Sequence, residues 1–203
     1  MQSVILWDRW FNERTMVIIS DYDVIATGDS EFSCRSYEMP TCPCCGETLA
    51  YRDHRRRIVR EYNGRTSHIQ LRRLKCLVCR RIHLELPDFL VPRKHYATEV
   101  IENVIDGVSD SEDESTDDFP CEQTMQRWIN WIRFNIPQMD GWLRSVGNRI
   151  LGFGDAHLSS TESLVGTLRK SGASWLPVCT RAIYNTGGVF LSEPPSKLCT
   201  CFV

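Results

Sequence analysis

The chain has 203 residues, a net charge of −2 and ten cysteines, and 42% of its residues are hydrophobic. This composition is typical of a soluble globular protein with one ordinary domain or two small ones. No segment approaches the ~20 consecutive apolar residues of a membrane span, and the N-terminus lacks the features of a signal peptide. We therefore expect a cytoplasmic protein with no membrane segment, in a reducing compartment where many cysteines favour metal binding over disulfides.

Residues 1–39 are predicted to form a β-rich lead-in. The segments MVIIS (16–20) and EFSCRSYEM (31–39) are strand-like, and the turn-forming residues Gly28 and Asp29 separate them. The lead-in is expected to end directly before the first cysteine-rich segment.

Two paired cysteine motifs dominate residues 40–95. MPTCPCCGETL (39–49) and LRRLKCLVCRR (71–81) give the spacing C-x2-C-x30-C-x2-C through Cys42, Cys45, Cys76 and Cys79. Two such knuckles are typical of a four-thiolate zinc site, with two soft sulfur ligands from each tight turn. We predict one structural Zn²⁺ in a zinc ribbon, with no open position for a catalytic water.

Two neighbouring side chains offer alternatives at this site. Cys44 lies between two of the predicted ligands, so a slipped register that uses it is open, although the pair Cys42 and Cys45 matches the spacing of the second knuckle better. His83 follows Cys79 by four residues and could replace one thiolate.

The long spacer between the knuckles is predicted to be a basic β-hairpin. RRRIVREY and RTSHIQLRRL flank Asn63-Gly64, a two-residue hairpin turn signal. Residues 52–94 contain thirteen Arg or Lys against four acidic residues, a local net charge of +9. Arginine forks suit phosphate groups, so we expect contacts to the DNA backbone from this segment. The candidates are Arg55, Arg56, Arg57, Arg60, Arg72, Arg73, Arg80 and Arg81.

Residues 96–137 are predicted to form a helix-turn-helix-like region. YATEVIENVIDGV (96–108) has helical apolar spacing, and a second helix is expected over 120–136, closed by Pro137. Between them lies an acidic insert, 106–118, with seven acidic residues and no basic one. A helix-turn-helix normally has a turn of three or four residues, so either this insert supplies a middle helix or the motif is a different one.

The second helix has a polar face suited to reading base edges. Arginine recognises guanine, and asparagine or glutamine recognises adenine, through paired hydrogen bonds in the major groove. The candidates for base readout are Gln123, Gln126, Arg127 and Asn130. If Trp128 and Trp131 are both buried, this face is free for DNA; joint exposure of Trp131 and Phe134 would favour a protein interface.

Residues 138–203 are expected to be a helical C-terminal region with a loose tail from Leu191. The acidic residues here are only Asp140, Asp155, Glu162 and Glu193. A transposase catalytic domain needs separated acids that hold two metal ions, and this segment is too short for one. We therefore expect no catalytic residues.

Several quoted segments together resemble a known family. CPCCG, LRRLKCLVC, LPDFLVPRKHYATEVIENVID and PCEQTMQRW, over about 40–135, are similar to a bacterial family of uncharacterised zinc-ribbon proteins. Those proteins resemble the DNA-binding front ends of insertion-sequence transposases. The resemblance implies a zinc ribbon followed by a helix-turn-helix, with Cys42, Cys45, Cys76 and Cys79 as zinc ligands.

The whole sequence thus predicts an α+β fold, with a β-rich N-terminal half and a helical C-terminal half. The expected function is double-stranded DNA binding by a transposase-derived or transposase-associated protein that lacks its own catalytic domain. Two alternatives remain open. One is a zinc-ribbon module that binds a protein partner through the acidic insert or the C-terminal region, and the other is an RNA binder that stacks bases on Tyr51 and Tyr62.

Overall fold

The computed structural model describes residues 15–61, 64–110, 120–151, 154, 161–171, 174–188 and 191–194. Within them lie six strands: β1 (Thr15–Ile19), β2 (Tyr22–Gly28), β3 (Glu31–Ser36), β4 (Leu49–Arg60), β5 (Thr66–Cys76) and β6 (Ile82–Pro87). Four helices follow: α1 (Thr98–Ile105), α2 (Glu122–Leu151), α3 (Leu164–Lys170) and α4 (Trp175–Asn185). The strands precede the helices, which confirms a mixed α+β chain with its helices in the later part. None of these helices combines the length and apolar character needed to cross a membrane.

All six strands belong to one sheet, with β5 at its centre. The strand order is β1-β6-β5-β3-β2, and β4 also pairs with β5. β4 runs antiparallel to β5 over the whole length of that strand, while β3 and β6 pair with its other edge at opposite ends. β1 lies parallel to β6, so the predicted lead-in is continuous with the cysteine-bearing strands rather than separate from them.

The predicted hairpin is confirmed as the pair β4 and β5. Its ladder runs from Leu49 opposite Cys76 to Arg60 opposite Thr66, so the two strands lead away from one knuckle and return to the other. At the turn the Glu61 N–H donates to the Arg65 carbonyl at 3.1 Å, and Gly64 has a φ of +68°. The other turn position predicted from the sequence, residue 63, lies outside the described residues.

The helices cover one face of the sheet. A single apolar cluster unites buried side chains of β1, β4, β5 and β6 with side chains from all four helices. Its largest fully buried members are Ile18, Ile69, Leu71, Leu86, Leu90, Ile101, Trp131, Ile132, Met139 and Leu176. The opposite face of β1 and β6 is also buried at Val17, His83 and Glu85, and His83 lies against Cys42 of the first knuckle.

Helix α2 continues through Pro137, so the prediction that this proline closes the helix is wrong. An internal proline costs ~3 kcal/mol because it removes one hydrogen bond and crowds the preceding turn. Packing beyond Pro137 offsets that cost. Met139 is fully buried, a contribution of roughly 1.5–3 kcal/mol. The Trp142 indole N–H donates to Thr186 at 2.8 Å, which ties this part of α2 to the end of α4.

Buried carboxylates fix the starts of the last two helices. Glu102 on α1 accepts hydrogen bonds from the Leu176 amide at 2.6 Å and the Ser174 hydroxyl at 2.7 Å. Asp140 on α2 accepts from the Val165 amide at 2.9 Å. A carboxylate at a helix N-terminus satisfies free N–H groups and complements the helix dipole. The helical part is therefore joined by polar contacts as well as by its apolar core.

The start of the C-terminal tail is packed against the helices. Leu191 is buried, and its amide donates to the Tyr184 hydroxyl at 3.3 Å. The Asn135 side chain donates to the Ser192 carbonyl at 2.9 Å. Residues 195–203, the remainder of the tail, lie outside the described residues.

Candidate metal centre and candidate nucleic-acid surface

The four cysteines predicted as ligands meet at one point. Their sulfur atoms all lie within 4.8 Å of one another. The Sγ atoms of Cys42 and Cys79 are 3.6 Å apart, and those of Cys45 and Cys76 are 3.5 Å apart. A tetrahedral ion with metal–sulfur bonds of about 2.3 Å would place its sulfur ligands about 3.8 Å apart. The cluster therefore has the size and the donor chemistry to hold a metal ion with four thiolates.

The two knuckles close their turns with equivalent backbone hydrogen bonds. In the first, the Cys42 N–H donates to the Glu47 carbonyl at 2.7 Å. In the second, the Cys76 N–H donates to the Arg81 carbonyl at 2.9 Å. Each bond joins the first cysteine of a knuckle to the residue five positions later, so both turns present their sulfur pair in the same local geometry.

A left-handed residue follows the second cysteine of each knuckle. Gly46 has a φ of +78° and Arg80 a φ of +65°. Their N–H groups donate to the Cys42 and Cys76 carbonyls at 2.8 and 3.1 Å respectively. Glycine adopts this conformation without strain, whereas an arginine does so at a cost. The sequence signals the first of these positions through its glycine but gives no signal for the second.

The surroundings of the thiols differ between the two knuckles. Burial raises the pKa of Cys42. Burial also opposes ionisation of Cys76, but hydrogen bonds from the backbone N–H groups of Cys79 and Val78 outweigh it and lower the pKa of Cys76 to about 6. The Cys79 N–H lies 3.4 Å from the Cys76 sulfur. Backbone N–H groups aimed at sulfur stabilise the thiolate form, which is the form that binds metal.

The two alternatives that the sequence left open, Cys44 and His83, both lie beside the cluster. His83 is fully buried, and its Nε2 is 3.3 Å from the Cys42 sulfur. Cys44 is exposed and accepts a hydrogen bond from the Arg81 guanidinium at 3.0 Å. Together with Cys42 they form a second group of donors within 4.8 Å of one another. Neither is needed to complete the four-cysteine set.

Arg57, one of the eight arginines predicted to contact DNA, is used inside the protein. Its guanidinium donates to the Val91 carbonyl at 2.7 Å and to the Lys94 carbonyl. Burial lowers its pKa to about 10, so the side chain still carries its charge at neutral pH. Arg57 thus anchors the turn after β6 to strand β4 and is not placed to meet a phosphate.

Arg72 and Arg73 are also engaged by partners within the sheet. Arg73 forms a two-pronged pair with Asp53, at 2.5 and 2.6 Å. Arg72 lies 3.4 Å from the carboxylate of Glu85, which is almost completely buried. Both arginines therefore neutralise acidic groups of their own fold.

The remaining five predicted phosphate contacts are exposed. Arg56 pairs with Glu31 at 2.6 Å, and Arg81 donates to Cys44. Arg55, Arg60 and Arg80 have no hydrogen-bond or ion-pair partner through their side chains within the described residues. Arg55 and Arg60 lie on β4, an edge strand, where positive charge also guards against unwanted strand pairing.

The four residues predicted to read bases, Gln123, Gln126, Arg127 and Asn130, are all exposed in the first turns of α2. Within this set the Gln126 amide donates to Asn130 at 3.1 Å. On the other side of the helix Trp128 and Trp131 are buried, with exposures of 4% and 2%. Phe134 is exposed without Trp131, so the condition that would have favoured a protein interface is not met.

Strand β4, which carries the exposed arginines, is connected to helix α2 through the contact between Tyr96 and Trp128. The Arg60 N–H donates to the His95 carbonyl at 2.8 Å, which pins the end of β4 to the segment before α1. The next residue, Tyr96, packs edge-on against Trp128, with 4.9 Å between ring centroids. The exposed arginines of β4 and the polar face of α2 therefore belong to one connected part of the fold.

Two further exposed features lie outside the predicted DNA contacts: an apolar pair that the sequence analysis did not single out, and a tyrosine that it assigned only to the RNA-binding alternative. Leu77 and Val78 form the tip of the second knuckle and are 59% and 64% exposed. Tyr51 is half exposed and bonds to His54 through its hydroxyl at 2.8 Å. Tyr62, its predicted partner in base stacking, lies outside the described residues.

Comparison with known protein families gives one match. A family model described as "Domain of unknown function (DUF6431)" covers residues 42–128, from the first cysteine of the cluster to the buried Trp128 of α2. No curated protein matches the chain, and no solved structure does. The matched segment contains both knuckles, the basic hairpin and all but one of the residues predicted to read bases.

Proposed function

We propose that this chain is a DNA-binding protein whose sheet is stabilised by one structural zinc ion. It would be derived from a transposase or associated with one, and it would act without a catalytic domain of its own. The observation that carries the proposal is the junction at Tyr96. It connects β4, whose Arg55 and Arg60 have no side-chain partner among the described residues, to a helix with an exposed polar face.

The zinc part of the proposal assigns Cys42, Cys45, Cys76 and Cys79 as the ligands of a zinc ribbon. The sulfur separations and the matching turns of the two knuckles support it. Zinc is the metal that four-thiolate knuckles of this kind usually hold. Such an ion would hold together the start of β4 and the end of β5, which lie at the opposite end of the hairpin from its turn.

Arg55, Arg60 and Arg80 are the proposed phosphate contacts, because among the eight arginines predicted for this role they alone are exposed and lack a side-chain partner in the described part of the chain. Each guanidinium that contacts a phosphate releases counterions, so it contributes affinity that falls as salt rises. Arg57, Arg72 and Arg73 are excluded from this role because internal partners hold them.

The base-reading part of the proposal assigns α2 as the helix that enters a major groove, preceded by α1 in a helix-turn-helix-like pair. Burial of Trp128 and Trp131 supports it, since the helix then docks through its aromatic side and leaves its polar side free. Each good bidentate contact from Arg127 or Asn130 would contribute ~1–3 kcal/mol of discrimination between bases.

Fluorescence anisotropy of the zinc-loaded full chain separates these roles. We expect Arg55→Ala/Arg60→Ala to weaken binding equally to duplex from beside its own gene and to scrambled duplex. Arg127→Ala/Asn130→Ala should instead remove the preference for the first duplex and leave binding to the scrambled one nearly unchanged.

Arg35→Ala is the matched control, because Arg35 is an exposed arginine on β3 that lies opposite Asp23 of β2 in the sheet and is not among the predicted phosphate contacts. It should bind both duplexes like the unaltered protein. If it weakens binding as much as Arg55→Ala/Arg60→Ala does, the affinity reflects overall charge and the assignment of β4 is wrong.

The second candidate function is a protein-interaction module, favoured by one observation. Leu77 and Val78 expose apolar side chains side by side at the tip of the second knuckle. If duplex DNA and single-stranded RNA both fail to bind at low salt, protein binding through this surface becomes the favoured function. Binding to single-stranded RNA alone would point to Tyr51 as a stacking residue.

A further inference from the structure

A second set of metal-binding side chains lies beside the four-cysteine cluster and shares one cysteine with it. Cys42, Cys44 and His83 place their donor atoms within 4.8 Å of one another. We infer that the chain binds a second zinc ion through these three residues, with the Cys42 thiolate bridging both ions. The inference rests on the proposed zinc ion in the first set and extends that site to two metals.

The position of Cys42 suits a bridging ligand. Its sulfur is 3.6 Å from the Cys79 sulfur on one side and 3.3 Å from His83 Nε2 on the other. Zinc–sulfur and zinc–nitrogen bonds of about 2.3 and 2.0–2.1 Å would place a sulfur and a nitrogen ligand about 3.6 Å apart. Shared thiolates are established chemistry, because a two-zinc, six-cysteine module can complete two tetrahedra only by sharing ligands.

The surroundings of His83 are those of a metal ligand rather than of a simple hydrogen-bond donor. His83 is fully buried, and its Nδ1 has no hydrogen-bond partner within the described residues. Two residues along β6, on the same face of the strand, Glu85 is also buried, and its Oε1 likewise has no partner there. A histidine that binds metal through one ring nitrogen normally donates the other N–H to a carboxylate or a water. With metal at Nε2 the ring proton would lie on Nδ1, and because the described residues place no acceptor within hydrogen-bond distance of Nδ1, its partner would be a water.

The charges around the cluster also favour a second cation. Four thiolates around one Zn²⁺ leave an excess of negative charge at a site where Cys42 and Cys76 are buried, and such charge is costly without compensation. A second Zn²⁺ lowers that excess even though Cys44 would add one more thiolate. The Arg81 guanidinium lies 3.0 Å from the Cys44 sulfur and adds positive charge beside the second set.

The second set leaves one coordination position open. Three protein ligands complete a tetrahedral site only with a water or an anion in the fourth position. A cavity of about 350 Å³ beside Cys44 provides space for it, and Arg81 and Arg149 contribute positive charge to its lining. The structure thus assigns a closed first site and a second site that is open to a small anion.

Native mass spectrometry of the full chain after loading with Zn²⁺ tests the inference by counting ions. We expect two zinc ions in the unaltered protein and one in Cys44→Ser and in His83→Gln. Cys121→Ser and His54→Gln, which replace an exposed cysteine and an exposed histidine outside both sets, should retain two. A Co²⁺ titration followed by absorption should show a second phase with mixed sulfur and nitrogen ligation that Cys44→Ser lacks.

The outcomes separate this inference from the proposed function. One zinc ion in the unaltered protein overturns the second site and leaves the four-cysteine site intact, whereas none overturns both. Two ions in Cys44→Ser would place the second ion elsewhere and also overturn the inference. Because His83 is buried and its replacement risks the fold, the exposed position of Cys44 makes Cys44→Ser the deciding variant.

Discussion

The two knuckles of this protein reach the same geometry with different residues at one critical position. Both close with a bond between positions five residues apart, and both turn left-handed after their second cysteine. The first knuckle uses Gly46 there and the second uses Arg80, for which the left-handed region costs ~1–2 kcal/mol. Tolerated backbone strain often marks a functional residue. We therefore propose that an arginine is kept at position 80 for its exposed charge, since a glycine there would make the turn more stable.

Loss of a metal ligand should have the largest effect and should be equal in both knuckles. We expect Cys45→Ser and Cys76→Ser, one from each knuckle, each to abolish the stabilisation by the ion of the four-cysteine site, a loss of several kcal/mol, because ligand binding and folding are coupled. Thermal unfolding with and without a chelator measures it. The control Cys121→Ser should remain sensitive to the chelator. If either ligand variant is still destabilised by the chelator as much as the unaltered protein, the two knuckles do not share one ion.

Exchange of the left-handed residues should have a smaller effect, of opposite sign in the two knuckles. Gly46→Arg should lower the free energy of unfolding by ~1–2 kcal/mol, because it adds strain. Arg80→Gly should raise it by ~0.5–1 kcal/mol, the strain relieved being partly offset by the freedom of glycine in the unfolded chain. Urea unfolding of the zinc-loaded protein measures both changes.

Arg80→Gly also tests whether the left-handed arginine contributes to DNA binding. If Arg80 contacts a phosphate, the variant should bind DNA more weakly although it is more stable. A variant that is more stable and binds with unchanged affinity would show that the strain at Arg80 has no role in DNA binding.

Substitutions at the tip of the second knuckle should have the smallest effect on stability. Leu77 and Val78 are exposed, so Leu77→Ser/Val78→Ser should change the free energy of unfolding by no more than ~0.5 kcal/mol. DNA affinity should also be unchanged, since neither side chain is assigned a contact. Urea unfolding and anisotropy check the two expectations. A marked loss of stability would mean that the tip packs against another part of the chain.

The sequence allowed prediction of those features that depend on local spacing. The two Cys-x-x-Cys pairs specify the knuckles, and the turn residues around Gly64 specify the hairpin that joins them, so the cysteine cluster and the pairing of β4 with β5 could be predicted. The amphipathic pattern likewise identified the exposed polar face of α2 and its buried tryptophans.

Features that depend on distant parts of the chain could not be predicted in this way. Helix α2 passes Pro137 because residues beyond it are buried against α4 and α3, which no local pattern reveals. Arg57 looks like its neighbours in the sequence, and only the turn at Val91–Lys94 makes it internal. The approach of His83 to Cys42 depends on how β6 pairs with β5. In each case long-range packing decided the role of the residue.

The most direct test of DNA binding is the salt dependence of affinity for the zinc-loaded full chain. Anisotropy titrations at two salt concentrations would use duplex from beside its own gene and scrambled duplex. We expect a preference for the first duplex that persists near physiological salt, together with a salt dependence of the affinity that reflects several phosphate contacts. Absence of binding to either duplex at low salt would contradict it and would assign the exposed arginines to another partner.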